Sequence, residues 1–454
     1  MHEPAVALLG CPRCRGPLVV DSELRCGECK LSFPMLDGVP CLFADPSHTL
    51  GEWRNRYRLL LGSLEREIHS LASRLESGEL NEKTIERLGN LKTAKETHLQ
   101  QLQTLLAPLD MPQFEASYDT LLALQTRLPP DQGLTTYYNN AHRDWAWGEE
   151  ENAVSAEIVS GQLGSSGPGP AALVLGAGAG RLAYDLHQAY PDCTTVALDF
   201  NPLLVLVLQR ILVGDSVELT EFPIAPATLA DVAVLRTLVA PDRPKPGLQP
   251  VIADALHPPF REGSFDTVVT PWLVDILPED LSMLSRRINR LLKPEGSWIL
   301  FGSLTFHHSD PALRYSLDEC LEVVAETGFA VPNYEEREIP YMNSPASRHG
   351  RRERVISWRT QKLTEAEEPV DHRALPEWLV RDDVPVPLSS SFQSQAMSTR
   401  VYAFIMSLID GRRSAADIAA VTVEQGLMSK EESGPTIRTF LLKMHEDSER
   451  QSKF

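Results

Sequence analysis

Apolar positions recur along this chain with two different spacings. Between Leu50 and Leu109 they return every three or four residues, at Leu59, Leu60, Leu64, Ile68, Leu71 and Leu75, then at Leu88, Leu91, Leu99, Leu102 and Leu106. That spacing lines one face of an α-helix. Ser77-Gly78-Glu79 interrupts it, Asn81 offers a capping oxygen to a second helix, and Pro108 and Pro112 end it. The pattern predicts a helical hairpin over residues 50–130, acting as a packing spacer or as a dimerising coiled coil.

Farther on the apolar residues concentrate in short runs: Ala171–Leu175, Thr194–Leu198, Val251–Ala253, Phe265–Val269 and Ser297–Phe301. Such runs read as strands buried on both faces. Helical patterns lie between them, through Leu182, Leu186 and Ala189 and over Leu281–Leu292. Alternating strands and helices predict an α/β doubly wound sheet, whose ligands bind outside the carboxyl ends of the strands. A proline-rich and acidic stretch, Pro369–Pro387, marks a linker over 363–388. Val401, Phe404, Ile405, Leu408 and Ile409 then open a small, mainly α module over 389–454.

Composition narrows the function classes. Charged residues make up 23% and apolar residues 43%, as in ordinary globular chains. The net charge of −19 repels nucleic acid unless a local basic face overrides it. Neither end of the chain supplies such a face, since both are balanced or acidic; no nucleic-acid partner is expected. No apolar run reaches the length of a membrane span. Met1–Gly10 lacks the features of a secretory signal, so a cytoplasmic location is the expectation.

Four of the seven cysteines form two pairs, Cys11-Pro12-Arg13-Cys14 and Cys26-Gly27-Glu28-Cys29. Two CxxC turns present four thiolates to one ion, the closed tetrahedral shell of structural zinc. A ribbon over residues 1–46 with zinc on Cys11, Cys14, Cys26 and Cys29 is expected. Cys41 reads as core.

The run Ala171–Leu175 leads into Gly176-Ala177-Gly178-Ala179-Gly180-Arg181. A glycine-rich strand-to-helix turn lets a ligand approach the backbone. The dinucleotide fingerprint places its third glycine where Arg181 stands, so the spacing suits S-adenosylmethionine better. Asp199 ends the next strand, where a carboxylate accepts ribose hydroxyls, and Asp254 ends the third, near the adenine edge.

Three stretches resemble known families. Cys11-Pro12-x-Cys14, Leu24-x-Cys26-x-x-Cys29 and Phe33–Pro40 resemble the small zinc ribbon that activates methyltransferases as a separate subunit. The core over 137–362 resembles the carnosine N-methyltransferase family. The shared text is Arg143-Asp144-Trp145, Gly176–Ala183, a long insertion with Pro241-Asp242, Asp275, and Gly302–His307. That resemblance implies a Rossmann-like, seven-stranded class I methyltransferase core. It also implies cofactor contacts from Arg143, Gly176, Gly178, Asp199, Asp254 and Ala255, with Asp275 and His307 holding an acceptor imidazole of a small molecule, dipeptide or peptide. The family's tyrosines before its last strand are replaced by His349-Gly350-Arg351-Arg352, which favours a carboxylate-bearing acceptor. Trp145, Trp147, Trp272 and Tyr341 are further pocket candidates; His142 and His308 read as surface or supporting groups. Leu408–Ala419 resembles winged-helix domains related to the peptide chaperone of pyrroloquinoline quinone synthesis, implying a carboxyl-terminal module that holds a peptide or self-associates. The competing reading is a non-catalytic binding protein, in which ribbon and winged helix flank a degenerate core.

Overall fold

The computed structural model describes residues 3–20, 24–78, 80–110, 134–308, 310–367, 378 and 384–451. Two compact units divide the chain, Met1–Val370 and Asp371–Phe454.

In the larger unit the five runs become strands β1 (Ala171–Leu175), β2 (Thr194–Asp199), β3 (Leu248–Ile252), β4 (Phe265–Pro271) and β5 (Leu292–Gly302) of a seven-stranded sheet, which β6 (Asn333–Tyr341) and β7 (Arg351–Gln361) complete. Their spatial order is β3-β2-β1-β4-β5-β7-β6. The first five are parallel; β7, lying between β5 and β6, runs antiparallel to both, so β6 points the same way as the first five. This is the Rossmann-like arrangement the sequence predicts. Strand order reverses between β1 and β4, which opens a crevice at their carboxyl ends. The helix Pro202–Leu212 is buried without interruption from Pro202 to Leu208. A helix apolar all round needs cover on both sides, and the amino-terminal helices supply it.

Those helices are Pro46–Glu76 and Glu82–Leu105. Asp45 and Asn81 cap them through the N–H groups of His48 and Thr84. They run antiparallel: Tyr57 donates to the carbonyl of Leu102, and Glu67 pairs with Lys95 at 2.6 Å. Trp53, Tyr57 and Leu102 share one core with Leu203–Leu208. The part of the expected hairpin over 111–130 lies outside the described residues. The insertion before β3 contains an antiparallel pair of strands, Val217–Glu221 and Val234–Leu238. Gln101 of the hairpin accepts from the N–H and hydroxyl of Thr220, both at 3.0 Å.

The ribbon is three short antiparallel strands, Leu18–Val20, Leu24–Cys26 and Ser32–Phe33, followed by the pair Met35–Leu36 and Val39–Pro40. Asp37 and Gly38 turn that pair at φ +51° and +80°, the left-handed values of a tight hairpin. The chain then lies along the edge of β3: Cys41 bridges Ile252, and the N–H of Leu42 donates to Ile252 at 2.8 Å. On the other side of the ribbon, Gly10 donates to Pro259 and Arg261 to Leu8. Leu9, Cys11, Leu24 and Phe33 belong to the same apolar cluster as Leu173, Val196 and Phe260.

The second unit has helices Ser390–Ser407, Ala415–Glu424 and Lys430–Gln451 around Ile405, Leu408, Ile418 and Ile437. Ser414 and Asp417 form a reciprocal cap at the start of the middle helix. Among the described residues this unit has no strand. Most of the expected linker lies outside the described residues. Among the described residues, no helix is long and apolar enough to cross a membrane.

Candidate active site

Three glycines carry the chain from β1 into the helix Arg181–Ala189, with φ of +79° at Gly176, +59° at Gly178 and +89° at Gly180. A Cβ at Gly176 would stand 2.8 Å from Leu273, and one at Gly180 2.5 Å from Leu208. Those two are required by packing as well as by conformation. A Cβ at Gly178 would meet nothing within 4 Å. The middle of the turn therefore faces open space, as a ligand-approach position needs.

The carboxylate of Asp199 stands directly against this turn. It accepts from the N–H of Gly178 at 2.8 Å and of Asn201 at 2.9 Å. Burial pushes its pKa up to about 6, against the N–H groups of Asn201, Gly178 and Phe200. Asp254 follows Ile252, the residue paired with Asp199 across β2 and β3, so both acids emerge from adjacent strand ends. Asp254 accepts from the N–H of Leu256 at 2.9 Å, which fixes its turn, and Ala255 is buried.

Arg143 begins a short π-helical turn, Arg143–Trp147. Its guanidinium is held by two carboxylates, Asp144 at 2.7 Å and Glu151 at 3.0 Å. It joins the glycine turn through Asp144, whose carboxylate accepts from the N–H of Arg181 and whose carbonyl accepts from the Arg181 side chain at 3.0 Å. Trp145 donates its indole N–H to the carbonyl of Ala179 at 2.8 Å. Asp144, Glu151 and Arg181 as buried anchors are absent from the sequence reading. The signal was there in the acidic Glu149-Glu150-Glu151 at a helix start. His142, expected as a surface or supporting group, is fully buried edge-on to Tyr138, and burial lowers its pKa to about 3.

Beyond β4 the chain turns through Trp272, at φ +50°, and delivers Asp275 to the carboxyl edge. A Cβ on Gly302 would lie 2.9 Å from the Trp272 nitrogen, so the ends of β4 and β5 press together here. Asp275 accepts from the N–H of Thr305 at 3.0 Å. Burial raises its pKa, while the Thr305 N–H, the Ser303 hydroxyl and the charge of His307 lower it. Asp275 and His307 thus face one electrostatic neighbourhood, with His307 exposed to solvent.

The ribbon's four sulfurs all lie within 4.8 Å of one another, with Cys14 to Cys26 at 3.4 Å and Cys11 to Cys29 at 3.6 Å. Four thiolates about 2.3 Å from one zinc would be separated by about 3.8 Å. The donor set fits zinc and leaves no open coordination position.

The family described as carnosine N-methyltransferase matches residues 134–363, just over half of the chain. The Trm112p-like family matches residues 6–38. A carnosine N-methyltransferase of Dictyostelium discoideum is 26% identical over 189 residues, covering 38% of this chain and 40% of that protein. A UPF0434 protein of Methylobacillus flagellatus is 36% identical over 53 residues, which are 11% of this chain and 88% of that one. Among solved structures, Haemonchus contortus phosphoethanolamine N-methyltransferase 2 in complex with S-adenosyl-L-methionine is 19% identical, with a TM-score of 0.32 over 47% of this chain and 45% of that one. Sheet order, glycine turn and the extent of the first match agree: this chain belongs to the carnosine N-methyltransferase family.

Proposed function

We propose that this protein is an S-adenosylmethionine-dependent N-methyltransferase acting on an imidazole nitrogen of a histidine-containing small molecule or peptide. The observation that carries the reading is Asp199 bonded to the one glycine of the turn that faces open space, with Asp275 on the same carboxyl edge of the sheet. Asp199 would hold the ribose hydroxyls, and Asp254 and Ala255 would flank the adenine. Gly176 and Gly178 would give the cofactor room. Arg143 would complete the site through the Asp144–Arg181 link. When bound, S-adenosylmethionine supplies an electrophilic methyl group.

The remaining work falls to the chain. A neutral imidazole offers one nitrogen lone pair near pH 7. Asp275 accepts the N–H of the other ring nitrogen, which fixes the tautomer and aims the lone pair. The same carboxylate stabilises the positive charge that grows on the ring. His307 orients the acceptor. Holding donor and acceptor in line is worth several orders of magnitude in rate.

The test is calorimetry with S-adenosylmethionine, followed by a methyl-transfer screen over histidine, carnosine, related dipeptides and histidine peptides. Mass spectrometry then locates the methyl. Cofactor binding with the methyl on a ring nitrogen is expected. Absence of binding at millimolar cofactor, or a methyl on another atom, overturns the reading.

A further inference from the structure

A cavity of about 190 Å³ opens between Trp147, the segment Glu221–Ile224 and the strand ends at Tyr341 and Arg351. It adjoins the candidate active site. Tyr341 packs against Trp272, centroids 4.7 Å apart, and Trp272 lies three residues before Asp275. The N–H of Met342 donates at 2.7 Å to Glu151, the residue that also holds Arg143. The volume lies below the roughly 300–1,000 Å³ of sites for drug-sized ligands, so it accommodates one end of a small acceptor.

The walls have a definite preference of charge. The guanidinium of Arg351 lies over the ring of Tyr341 at 4.5 Å. A ring face on which an acceptor's ammonium could stack is therefore already covered by the chain's own cation. Glu221, a carboxylate in the wall, is bonded to Arg236 at 2.7 Å, so its charge is already answered. The indole nitrogen of Trp147 is buried with no hydrogen-bond partner. Arg351 is paired too, giving its Nε to Glu353 at 3.1 Å, but its side chain stays 57% exposed against 4% for Glu221, and a guanidinium keeps further N–H donors for a ligand. An amine entering here meets a cation, whereas a carboxylate meets N–H donors.

We propose that this cavity binds a carboxylate of the acceptor, and that Arg351 with Trp147 selects carboxylate-bearing imidazoles over those bearing an ammonium alone. The proposal rests on the imidazole reading above.

The experiment uses the full chain with S-adenosylmethionine and four acceptors: imidazolepropionate, N-acetylhistidine, carnosine and histamine. A peptide ending in histidine is added, with its carboxyl end free or amidated. The first two acceptors are expected to exceed histamine in kcat/KM by at least about tenfold. R351A should erase that ratio through KM, and R351K should restore only part of it, since a point charge cannot reproduce the stacked fork. W147F should narrow the ratio less. Histamine used as well as imidazolepropionate, or an unchanged ratio in R351A, overturns this proposal and leaves imidazole methylation standing. Cofactor binding with no methyl transfer to any of these acceptors overturns both. Preference for imidazolepropionate assigns a small-molecule carboxylate; preference for the free-ended peptide over its amide assigns a peptide carboxylate.

Discussion

The two edges of the central sheet are protected in opposite ways. At β6 the strand is exposed from Asn333 to Glu338 and carries Glu335, Glu336, Arg337 and Glu338. Charges along an open edge discourage pairing with another chain. At β3 the strand is buried over Gln249–Ile252, and the ribbon lies against it through Cys41 and Leu42. One edge keeps to itself by charge, the other by a cover built around a four-cysteine site. The covered edge is the one that leads into Asp254 and Ala255. Phe43, just after the ribbon, and Trp53 of the hairpin both pack on Phe200, the residue after Asp199. The segment that covers β3 thus continues into residues packed beside the candidate cofactor site, whereas the charged edge lies at the far side of the sheet.

The largest effect should come from breaking the covered edge. Replacing Cys26 with serine, or stripping the metal with a chelator, should lower the unfolding midpoint by about 10 °C or more, as loss of several kcal/mol does in a domain of this size. Calorimetric affinity for S-adenosylmethionine should fall with it; a scan unchanged by the chelator would break the link. Asp275 belongs to neither edge, so D275N should leave the unfolding midpoint and cofactor affinity near wild type. Its kcat should drop about 10²–10³-fold, the loss typical of a removed transition-state partner, as stopped-time methyl-transfer assays would show.

Asp199 sharpens the comparison through pH. Its pKa is raised to about 6, so the carboxylate is ionised above that value and protonated below it. If ribose hydroxyls donate to the ionised form, cofactor affinity is full above pH 6 and falls about tenfold per unit below it. D199N should bind weakly with a flat profile across the same range, measured by titration calorimetry. The smallest effect is reserved for the charged edge. E336V should change stability by less than about 0.5 kcal/mol, yet raise self-association in light scattering, because its role is to repel.

What the sequence disclosed was local. The glycine turn and the paired cysteines are contiguous, and their chemistry follows from spacing within a few residues. Strands β1 to β5 were legible because burial on both faces writes short apolar-rich runs, whereas the exposed, charged residues of β6 write no such pattern. The Arg143–Asp144–Glu151 group was half legible, since the charges are visible in the text but the bonds between them depend on a π-helical turn. The strand pair Val217–Glu221 and Val234–Leu238 went unread: a long loop with prolines separates its halves, and neither carries a tight-turn signature. Docking of the ribbon on β3 was hidden for the same reason, because Cys41 and Ile252 meet only in three dimensions. At the other end, the motif around Asp410–Asp417 encodes a turn and a helix cap, local features legible from spacing alone.

The order of these parts along the chain has a consequence for synthesis. The cysteine pairs leave the ribosome roughly two hundred residues before β3 does. The lid of that strand can load its ion and fold while its future seat is still being translated. The cover of this edge is thus synthesised before the edge itself.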